Sequence, residues 1–311
     1  MPSIPPFSTL GTFWRGNLHT HSHLSDGRLP PADVIAAYRD AGYDFMALTD
    51  HFLERYDWRM ADTRALRSAD FTTLIGAEIH APKTNVGELW HLVAVGLPLD
   101  FSPCSATEDG PALARRAREA GAFVAIAHPA WSQLDLEDGL AIDAAHAVEI
   151  YNHGCAVEND RGDGLYLLDQ LLNTGRRLTA IATDDAHFAH FDRDAFGGWV
   201  HVKAEENTPD ALLEALKAGH MYSSQGPQIH DIAIDENRLS IACSPVDTVS
   251  VICGNSRSAV ARGRHMTHAE LDLAQLGEGW LLERESPWFR CVAIDAAGRR
   301  AWTNPIWRAN V

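Results

Sequence analysis

Long apolar runs, basic residues and cysteines are scarce in this 311-residue chain, and each shortage excludes a class of protein. No stretch of about eighteen apolar residues occurs, so the sequence predicts no transmembrane helix and no membrane partner. The 26 basic residues are outnumbered by 42 acidic ones, which gives a formal charge of −16. Because binding of an extended nucleic acid requires clustered positive charge, we expect no such partner. A small phosphorylated substrate is compatible with this charge, since bound divalent metals make the local field positive.

The five cysteines, Cys104, Cys155, Cys243, Cys253 and Cys291, are scattered, odd in number and without CxxC spacing. This pattern argues against a disulfide framework and favours reduced, mostly buried thiols. The first residues also lack the basic start and the long apolar stretch of a signal peptide. We therefore expect a cytoplasmic protein.

Short apolar segments alternate with helical patterns over roughly the first 220 residues. Strands are predicted at 17–21, 45–49, 73–79, 91–97, 123–128, 147–151 and 178–183. Helices are predicted within 30–43, 110–122, 159–176 and 208–220, each with a glycine at its end. Because most of the strands are near-continuous apolar runs, they are typical of a parallel sheet covered on both faces. Seven such strands with intervening helices indicate an α/β barrel or near-barrel.

The pattern changes after about residue 224, where short strand-like segments are joined by turn signals such as DEN and AAG. The sequence therefore predicts an α/β domain over residues 1–225 and a small all-β, sandwich-like domain over residues 226–311. Gly226 and Pro227 are the expected linker. The core of the second domain is expected to contain Trp280, Trp288, Trp302 and Trp307.

Residues 16–28, GNLHTHSHLSDGR, contain three histidines and an aspartate within eight positions. His19 and His21 are two apart on a predicted strand, so their side chains point the same way and can clamp one metal ion. Asp26 follows in a turn that Gly27 allows to reverse. A single HxH pair also arises by chance, so the interpretation depends on what the other strands carry.

Ligand-type residues recur at the other predicted strand ends, and the carboxyl ends of parallel barrel strands form one rim. Nine metal ligands are therefore expected to converge: His19, His21, Asp26, His51, Glu78, His91, His128, Asp185 and His187. His91 differs from the rest, because it stands at the start of its predicted strand. Nitrogen and oxygen donors without thiolates suit two or three zinc, manganese or iron ions, with a carboxylate bridging two of them. An ordinary polar rim is disfavoured, because so many ionisable side chains would repel one another or stay unsatisfied without metal.

The motifs HTHSHLSDG, TDH, GAEIH, AHP and DDAH, in this order within residues 13–225, resemble those of the PHP superfamily, named for polymerase and histidinol phosphatase. The resemblance implies a distorted (β/α)7 barrel with a dinuclear or trinuclear metal centre. It implies a first metal held by His19, His21, Glu78 and Asp185. Glu78 would bridge to a second metal completed by His91 and His128, and the third would be held by Asp26, His51 and His187.

The C-terminal β segment resembles that of stand-alone PHP hydrolases, some of which are associated with carbamate-ester hydrolysis. We expect a metal-dependent phosphoesterase in which a metal-bridging hydroxide attacks a small phosphate ester. Glu78 and Asp185 are the predicted catalytic groups. His23 is a candidate to contact the substrate or to protonate the leaving group, and a solvated histidine without such a role is the favoured alternative. Hydrolysis of a carbamate or amide bond and a non-catalytic, metal-stabilised binding module are the alternatives. The complete ligand set favours catalysis over the binding module.

Weaker predictions concern polar residues next to the proposed ligands. Asp50 and Asp184 are expected to orient imidazoles as hydrogen-bond acceptors. Asn152 and His153 are expected either to line the pocket or to cap the end of a strand. A phosphate would also require a cation, and the loops after the rim strands contain Arg55, Lys83 and Arg161.

Overall fold

The computed structural model describes residues 1–189, 193–254, 256–276 and 286–308. The α-helices of these residues are α1 (Pro31–Asp40), α2 (Gly110–Glu119), α3 (Leu136–Ala141), α4 (His153–Asn159), α5 (Leu165–Asn173) and α6 (Pro209–Ala218). All four predicted helical patterns are confirmed as α1, α2, α5 and α6, whereas the short α3 and α4 were not predicted. Gly219 ends α6 with a φ of 73°, in the left-handed region that residues with a β-carbon rarely adopt. None of the described helices is long and apolar enough to span a membrane.

The strands in the first half of the chain are β1 (Thr12–Asn17), β2 (Phe45–Leu48), β3 (His51–Phe52), β4 (Thr72–Pro82), β5 (Leu89–Val95), β6 (Phe123–Ile126) and β7 (Ala147–Asn152). Further along are β8 (Thr179–Thr183), β9 (Trp199–Ala204), β10 (Met221–Ser224), β11 (Ile229–Asp235), β12 (Arg238–Cys253), β13 (Ser258–Asp272), β14 (Trp288–Ile294), β15 (Arg300–Thr303) and β16 (Ile306–Trp307). Six of the seven strands predicted for the first half overlap observed strands over most of their length, whereas the seventh shares only Asn17 with β1. The exception is 17–21, because the Asn17 side chain accepts the backbone N–H of His19 at 2.9 Å and β1 ends there.

All these strands belong to one sheet, in the order β11-β12-β14-β15-β10-β9-β1-β2-β4-β5-β6-β7-β8, with β3, β13 and β16 at its sides. The pairs β1–β2, β2–β4, β6–β7 and β7–β8 are parallel. The expectation of a wholly parallel sheet was wrong, because β5 runs antiparallel to both of its neighbours and β9 runs antiparallel to β1.

The far end of the sheet curls back onto its middle. Ser223 in β10 donates its hydroxyl to the carbonyl of Ala180 in β8, at 3.0 Å. Buried apolar side chains from β2, β5, β6, β8 and β10 form one cluster, which includes Phe45, Val93 and Phe123. The fold is therefore mixed α/β with one large sheet. This confirms the predicted α/β class, whereas the specific (β/α)7 barrel stays a prediction.

The predicted tryptophan core needs a correction. Trp288 and Trp302 are buried, but they pack against the α/β part of the chain as well as against their own strands. The indole of Trp288 donates to Asn173 at 3.2 Å. Trp307 is half-buried, and Trp280 lies outside the described residues. The strand pair β10–β15 also carries the sheet across residue 225, so the division into domains at that point stays a prediction.

Candidate metal centre

The paired strands β4 and β5 supply the middle of the candidate centre. Glu78 and His80 are two apart on β4, so both side chains point to the same face. Because β5 is antiparallel to β4, the start of β5 meets the end of β4, and His91 pairs with His80. His91 Nδ1 lies 2.7 Å from Glu78 Oε1. The position of His91 at a strand start is thereby explained.

The turn after β1 supplies the first histidines. Asp50 accepts the backbone N–H and the hydroxyl of Ser22 at 2.7 and 2.8 Å, and the hydroxyl of Ser25 at 2.7 Å. Ser25 Oγ in turn lies 3.4 Å from His21 Nδ1. Asp50 thus acts on His21 through Ser25 and not by direct contact. A β-carbon at Gly27 would lie 2.6 Å from the His21 carbonyl carbon, so glycine permits this close approach.

Four groups of ligand atoms converge, each with its atoms within 4.8 Å of one another. They are His21, Asp26, His51 and His187; His51, Glu78, His80 and His91; His19, His21 and Asp185; and His19, Glu78 and His128. The structure therefore brings together all nine predicted ligands. It adds His80, which sequence reasoning missed although GAEIH places it two residues after Glu78.

Three buried atoms at the middle of this cluster, His19 Nε2, His21 Nε2 and Glu78 Oε2, make no well-oriented hydrogen bond. His21 Nε2 nevertheless lies 2.9 Å from Asp185 Oδ1, and Glu78 Oε2 lies 2.5 Å from His51 Nδ1. Both histidines and the glutamate are 0% exposed. Buried polar atoms are nearly always hydrogen-bonded, so such atoms require another partner. Convergent imidazole nitrogens and carboxylate oxygens are the donors that zinc, manganese and iron take in proteins. The side chains present therefore fit divalent metal ions.

The central carboxylates are held in the ionised form. Burial works to raise the pKa of Glu78, but the nearby imidazoles of His51 and His91 outweigh it and hold that pKa well below its usual value. Asp185 behaves in the same way, since His19 and His21 lower its pKa against the effect of burial. Ionised carboxylates are the form that binds metal.

The imidazoles differ in their protonation. Burial together with the neighbouring imidazoles His187 and His51 lowers the pKa of His21 to about 4. Burial also lowers the pKa of His91. The pKa of His51 is raised to about 10, because Glu78 and Asp26 outweigh its burial. In the absence of metal, protons on some imidazoles thus balance the carboxylates, and metal binding would displace them.

Glu149 forms a second layer behind the ligands and was not predicted. Its Oε1 lies 2.9 Å from His19 Nδ1, which leaves His19 Nε2 to face the cluster. Its Oε2 accepts the backbone N–H of His128 at 2.6 Å and the amide of Asn152 at 2.9 Å. A glutamate inside the apolar run AVEIY was the sequence signal for such a role.

Asp184 has a different role from the predicted one. Its carboxylate accepts the Tyr38 hydroxyl at 2.7 Å and the Asn17 amide at 2.5 Å. It also accepts the backbone N–H groups of Gly197 and Gly198, each at 2.8 Å. The prediction that Asp184 orients an imidazole was wrong, because these bonds fix a loop against the end of β1.

The predicted cap is observed for Asn152, which is not among the described residues that line the cavity over the metal centre, whereas neither predicted role is observed for His153. Asn152 caps α4 by accepting the backbone N–H of Cys155 at 2.8 Å, and its amide donates to Asp185 Oδ2 at 3.0 Å. His153 Nδ1 lies 2.9 Å from the Tyr151 hydroxyl. Among the described residues, His153 does not border the cavity over the metal centre.

Two candidate ligands have left-handed backbone conformations. The φ angles are 22° at His128 and 54° at Asp185. Such conformations are unfavourable for residues with a β-carbon and persist where the surrounding structure imposes them. At both positions the adjoining hydrogen bonds to Glu149 or Asn152 supply that constraint.

A cavity of about 670 Å³ lies over the cluster, with Asp26, His51, His91, His128, Asp185 and His187 among its walls. Arg55 and Arg193 are the cationic residues that line it, together with Trp131, which is 38% exposed. Of the three cations that the sequence offered for a phosphate, none of them singled out, Arg55 borders the cavity, and Lys83 and Arg161 do not. His23 is exposed and is not among the described lining residues, so its predicted role stays a prediction.

No protein-family model matches the sequence, and no curated protein matches it. Among solved structures, a two-domain protein from Bacteroides vulgatus that contains a predicted PHP-like metal-dependent phosphoesterase superposes with a TM-score of 0.51 at 18% identity, covering 88% of each chain. A candidate metal-dependent phosphoesterase from Bifidobacterium adolescentis gives 0.41 at 17% identity, over 59% of this chain and 89% of the other. An amidohydrolase from Chromobacterium violaceum with bound sulfate and no metal gives 0.42 at 16% identity, over 55% of this chain and 87% of the other. The resemblance to PHP proteins is thereby confirmed at the level of the fold.

Proposed function

From its PHP-like fold, we propose that this chain is a metal-dependent phosphoesterase that hydrolyses a small phosphate ester. The observation that carries the proposal is the convergence of buried atoms from His19, His21 and Glu78 behind a cavity that Asp185 lines, whose walls include two arginines as well as carboxylates. A merely structural cluster would not need to lie beneath a cavity, nor would it require arginines beside it. A small phosphate ester is also the partner that the acidic surface leaves possible.

The centre would hold two or three divalent ions. His19, His21 and Asp185 would hold one, Glu78 would reach a second with His91 and His128, and Asp26, His51 and His187 would hold a third. His80 belongs to the second group by its position. Such ions would supply Lewis-acid activation of water and neutralisation of phosphoryl charge. A zinc, manganese or iron centre is proposed from the mixed nitrogen and oxygen donors.

The chain's own residues would position the substrate. Arg55 and Arg193 offer the guanidinium donors that match phosphate oxygens. Trp131, whose ring centroid is 5.0 Å from that of His128, offers an apolar surface to the organic part. Glu78 and Asp185, held ionised, would keep the ligand geometry constant during the reaction. His23 would reach the leaving group only if its exposed side chain turned toward the cavity.

We also propose a division of the chain into two domains and a cellular location. All candidate ligands precede residue 225, and a separate apolar cluster, which includes Ile232, Val249 and Phe289, packs the later strands. This supports a metal-binding domain over residues 1–225 and a β domain over residues 226–311, although Ile4 also packs with the later strands. The five cysteines, all within the described residues, form no disulfide, which supports a cytoplasmic location.

The experiment measures metals per chain and then turnover against phosphomonoesters, phosphodiesters and aryl carbamates. We expect two to three metals per chain and phosphate release that chelation abolishes. If only carbamates or amides were cleaved, the chain would be a carbamate or amide hydrolase and not a phosphoesterase. Bound metal without any turnover would indicate a binding module.

An arginine variant tests the substrate class at the same site. Arg55→Gln should raise KM for a phosphate ester, because a guanidinium contact to phosphate is lost. Arg59→Gln is the matched control, since this exposed arginine pairs with Asp57 at 2.8 Å. Equal KM values in the two variants would show that Arg55 does not contact the phosphate.

A further inference from the structure

A second cavity, of about 410 Å³, opens at the amino-terminal ends of β7 and β8. His146 immediately precedes β7, and Arg177 lies just before β8. The metal ligands His128 and Asp185 follow the opposite ends of their strands, after β6 and β8. The remaining walls come from residues 4–7, the end of α6 and residues 303–307. This cavity is therefore separate from the metal centre.

The charge of this cavity is opposite to that of the chain. Its lining contains Arg118, Arg177 and Lys217, together with His146 and His220, and no aspartate or glutamate is found among the described lining residues. The whole chain, by contrast, carries 42 acidic and 26 basic residues. A carboxylate-free basic cavity in so acidic a protein attracts anions locally.

The cations of the cavity retain unused donors. Arg118 donates to the carbonyl of Ala144 at 3.1 Å. Arg177 has its guanidinium over the ring of Trp307, 4.5 Å from the centroid. Within the described part of the chain, neither guanidinium pairs with a carboxylate. Lys217 pairs with Glu214 at 3.3 Å, but that glutamate side chain is 76% exposed. Two guanidinium forks thus stay available to a ligand.

His146 adds a neutral donor. Its Nδ1 accepts the backbone N–H of Val124 at 3.1 Å, so the neutral ring carries its proton on Nε2. Burial, with the charges of Arg118 and Lys217, lowers the pKa of His146 to about 4. At neutral pH this side chain therefore donates a hydrogen bond without adding charge.

Much of the remaining wall is apolar, although Thr179, Thr303 and Asn304 also border the cavity. Ile4, Phe7, Leu178 and Ile306 line it, and Trp307 stands beside Arg177. Pockets of 300–1,000 Å³ that combine apolar walls with a few polar groups are typical of small-molecule sites. An inorganic ion would leave these apolar walls uncovered, whereas an organic phosphate would use both kinds of surface.

We propose that this cavity binds a small organic polyphosphate of the size of a nucleoside diphosphate. Its phosphates would bind Arg118, Arg177 and Lys217, and its organic part would contact the apolar walls around Trp307. The site does not depend on the proposed function, since it lies at the other ends of the strands.

Calorimetric titration of the metal-loaded full chain with adenosine 5′-(α,β-methylene)diphosphate tests this assignment, because that probe resists hydrolysis. The same titration of the Asp185→Asn chain identifies binding that belongs to the metal centre, because that binding should be lost in this variant. We expect saturable binding that persists in Asp185→Asn and weakens as salt rises. Methylenediphosphonate, which lacks the nucleoside, should bind more weakly than the nucleotide probe.

The decisive variants are Arg118→Gln and Arg177→Gln, each of which should weaken binding about tenfold or more. Lys217→Gln provides a third variant should one of these fail to fold. Arg64→Gln is the matched control, because this exposed arginine pairs with Asp62 at 2.7 Å. Absent binding, binding lost only in Asp185→Asn, or equal affinity in the cavity variants and in Arg64→Gln would each overturn the proposal.

Discussion

His91 lies directly opposite His80 in the antiparallel pair of β4 and β5, with their ring centroids 4.3 Å apart. His80 Nδ1 lies 3.2 Å from the carbonyl of Trp90, a bond that turns its Nε2 toward the cluster. His91 reaches Glu78 from the neighbouring strand. The reversal of β5 thus adds the imidazole of His91 to the cluster, beside the imidazole of His80 that β4 itself supplies.

Loss of the central anion should abolish function. We expect Glu78→Gln to lower bound metal and to reduce activity by more than about a hundredfold, since losing a ligand should exceed the effect of losing an outer-shell partner. Metal analysis and turnover on the same preparation check this. Glu88→Gln, at an exposed position, is the control. Full metal content and full activity in Glu78→Gln would show that Glu78 does not bridge two metal ions.

His80 is expected to be a ligand in its own right. His80→Ala should lose roughly one metal equivalent per chain, because its group loses one of four donors. Metal analysis after dialysis against a weak chelator measures this. His268→Ala, at an exposed histidine on β13, should keep the full complement. An unchanged metal content in His80→Ala would make that histidine a structural neighbour only.

Glu149 should act on metal affinity through His19. Glu149→Gln keeps the shape of the side chain but removes the charge that holds the imidazole, so we expect metal binding about 10–100-fold weaker. Excess metal should then restore activity, unlike in Glu78→Gln. A competition titration with a coloured chelator gives the affinity, and exposed Glu137→Gln is the comparison. Affinity equal to that of the control would contradict the role.

Metal removal should destabilise the fold. Chelation leaves buried carboxylates and imidazoles without the ions that bind them, and binding to the folded state alone stabilises it. We expect the Tm to fall by roughly 5–10 °C and to recover when metal is restored. Calorimetry on one sample before chelation, after it and after reloading tests this. An unchanged Tm would show that the cluster does not need metal to remain folded.

His201 should contribute to acid denaturation away from the centre. Burial, with the charge of Arg15, lowers the pKa of His201 to about 3, and its Nε2 accepts the indole N–H of Trp199 at 3.0 Å. Between pH 6.5 and 3 the unfolded chain binds a proton that the folded chain does not. The stability contributed is therefore present above pH 6.5 and is lost as the pH falls toward 3, with a ceiling on the order of 5 kcal/mol.

The matching variant is His201→Gln, whose amide oxygen can still accept from Trp199. We expect its free energy of unfolding to fall less steeply than that of the unmodified chain between pH 6.5 and 4. Urea denaturation at several pH values measures the difference. Parallel curves for the two proteins would assign the acid sensitivity to other groups.

The site was more predictable than the fold. All nine proposed ligands are brought together, and several of them, such as His51, His128 and Asp185, follow shortly after a strand whose apolar run is visible in the sequence. The helices at α1, α2, α5 and α6 were predictable for a similar local reason, a periodic apolar face ended by a glycine. His80 and Glu149 also left local signals, a period of two and a charge within a buried run.

Strand direction, by contrast, is not a local property. The apolar segment of β5 reads the same whether it runs parallel or antiparallel to β4, so its reversal followed only from the assembled sheet. Likewise, the end of β1 at Asn17 depends on a side-chain hydrogen bond, and the network of Asp184 joins residues more than 140 positions apart. The sequence by itself determined the types of metal-donor side chain and their place near strands, because both follow from residues that are neighbours in the chain. Which donors share an ion, and the basic cavity at the other strand ends, were decided by tertiary structure, because each depends on side chains that only the folded sheet brings within contact distance.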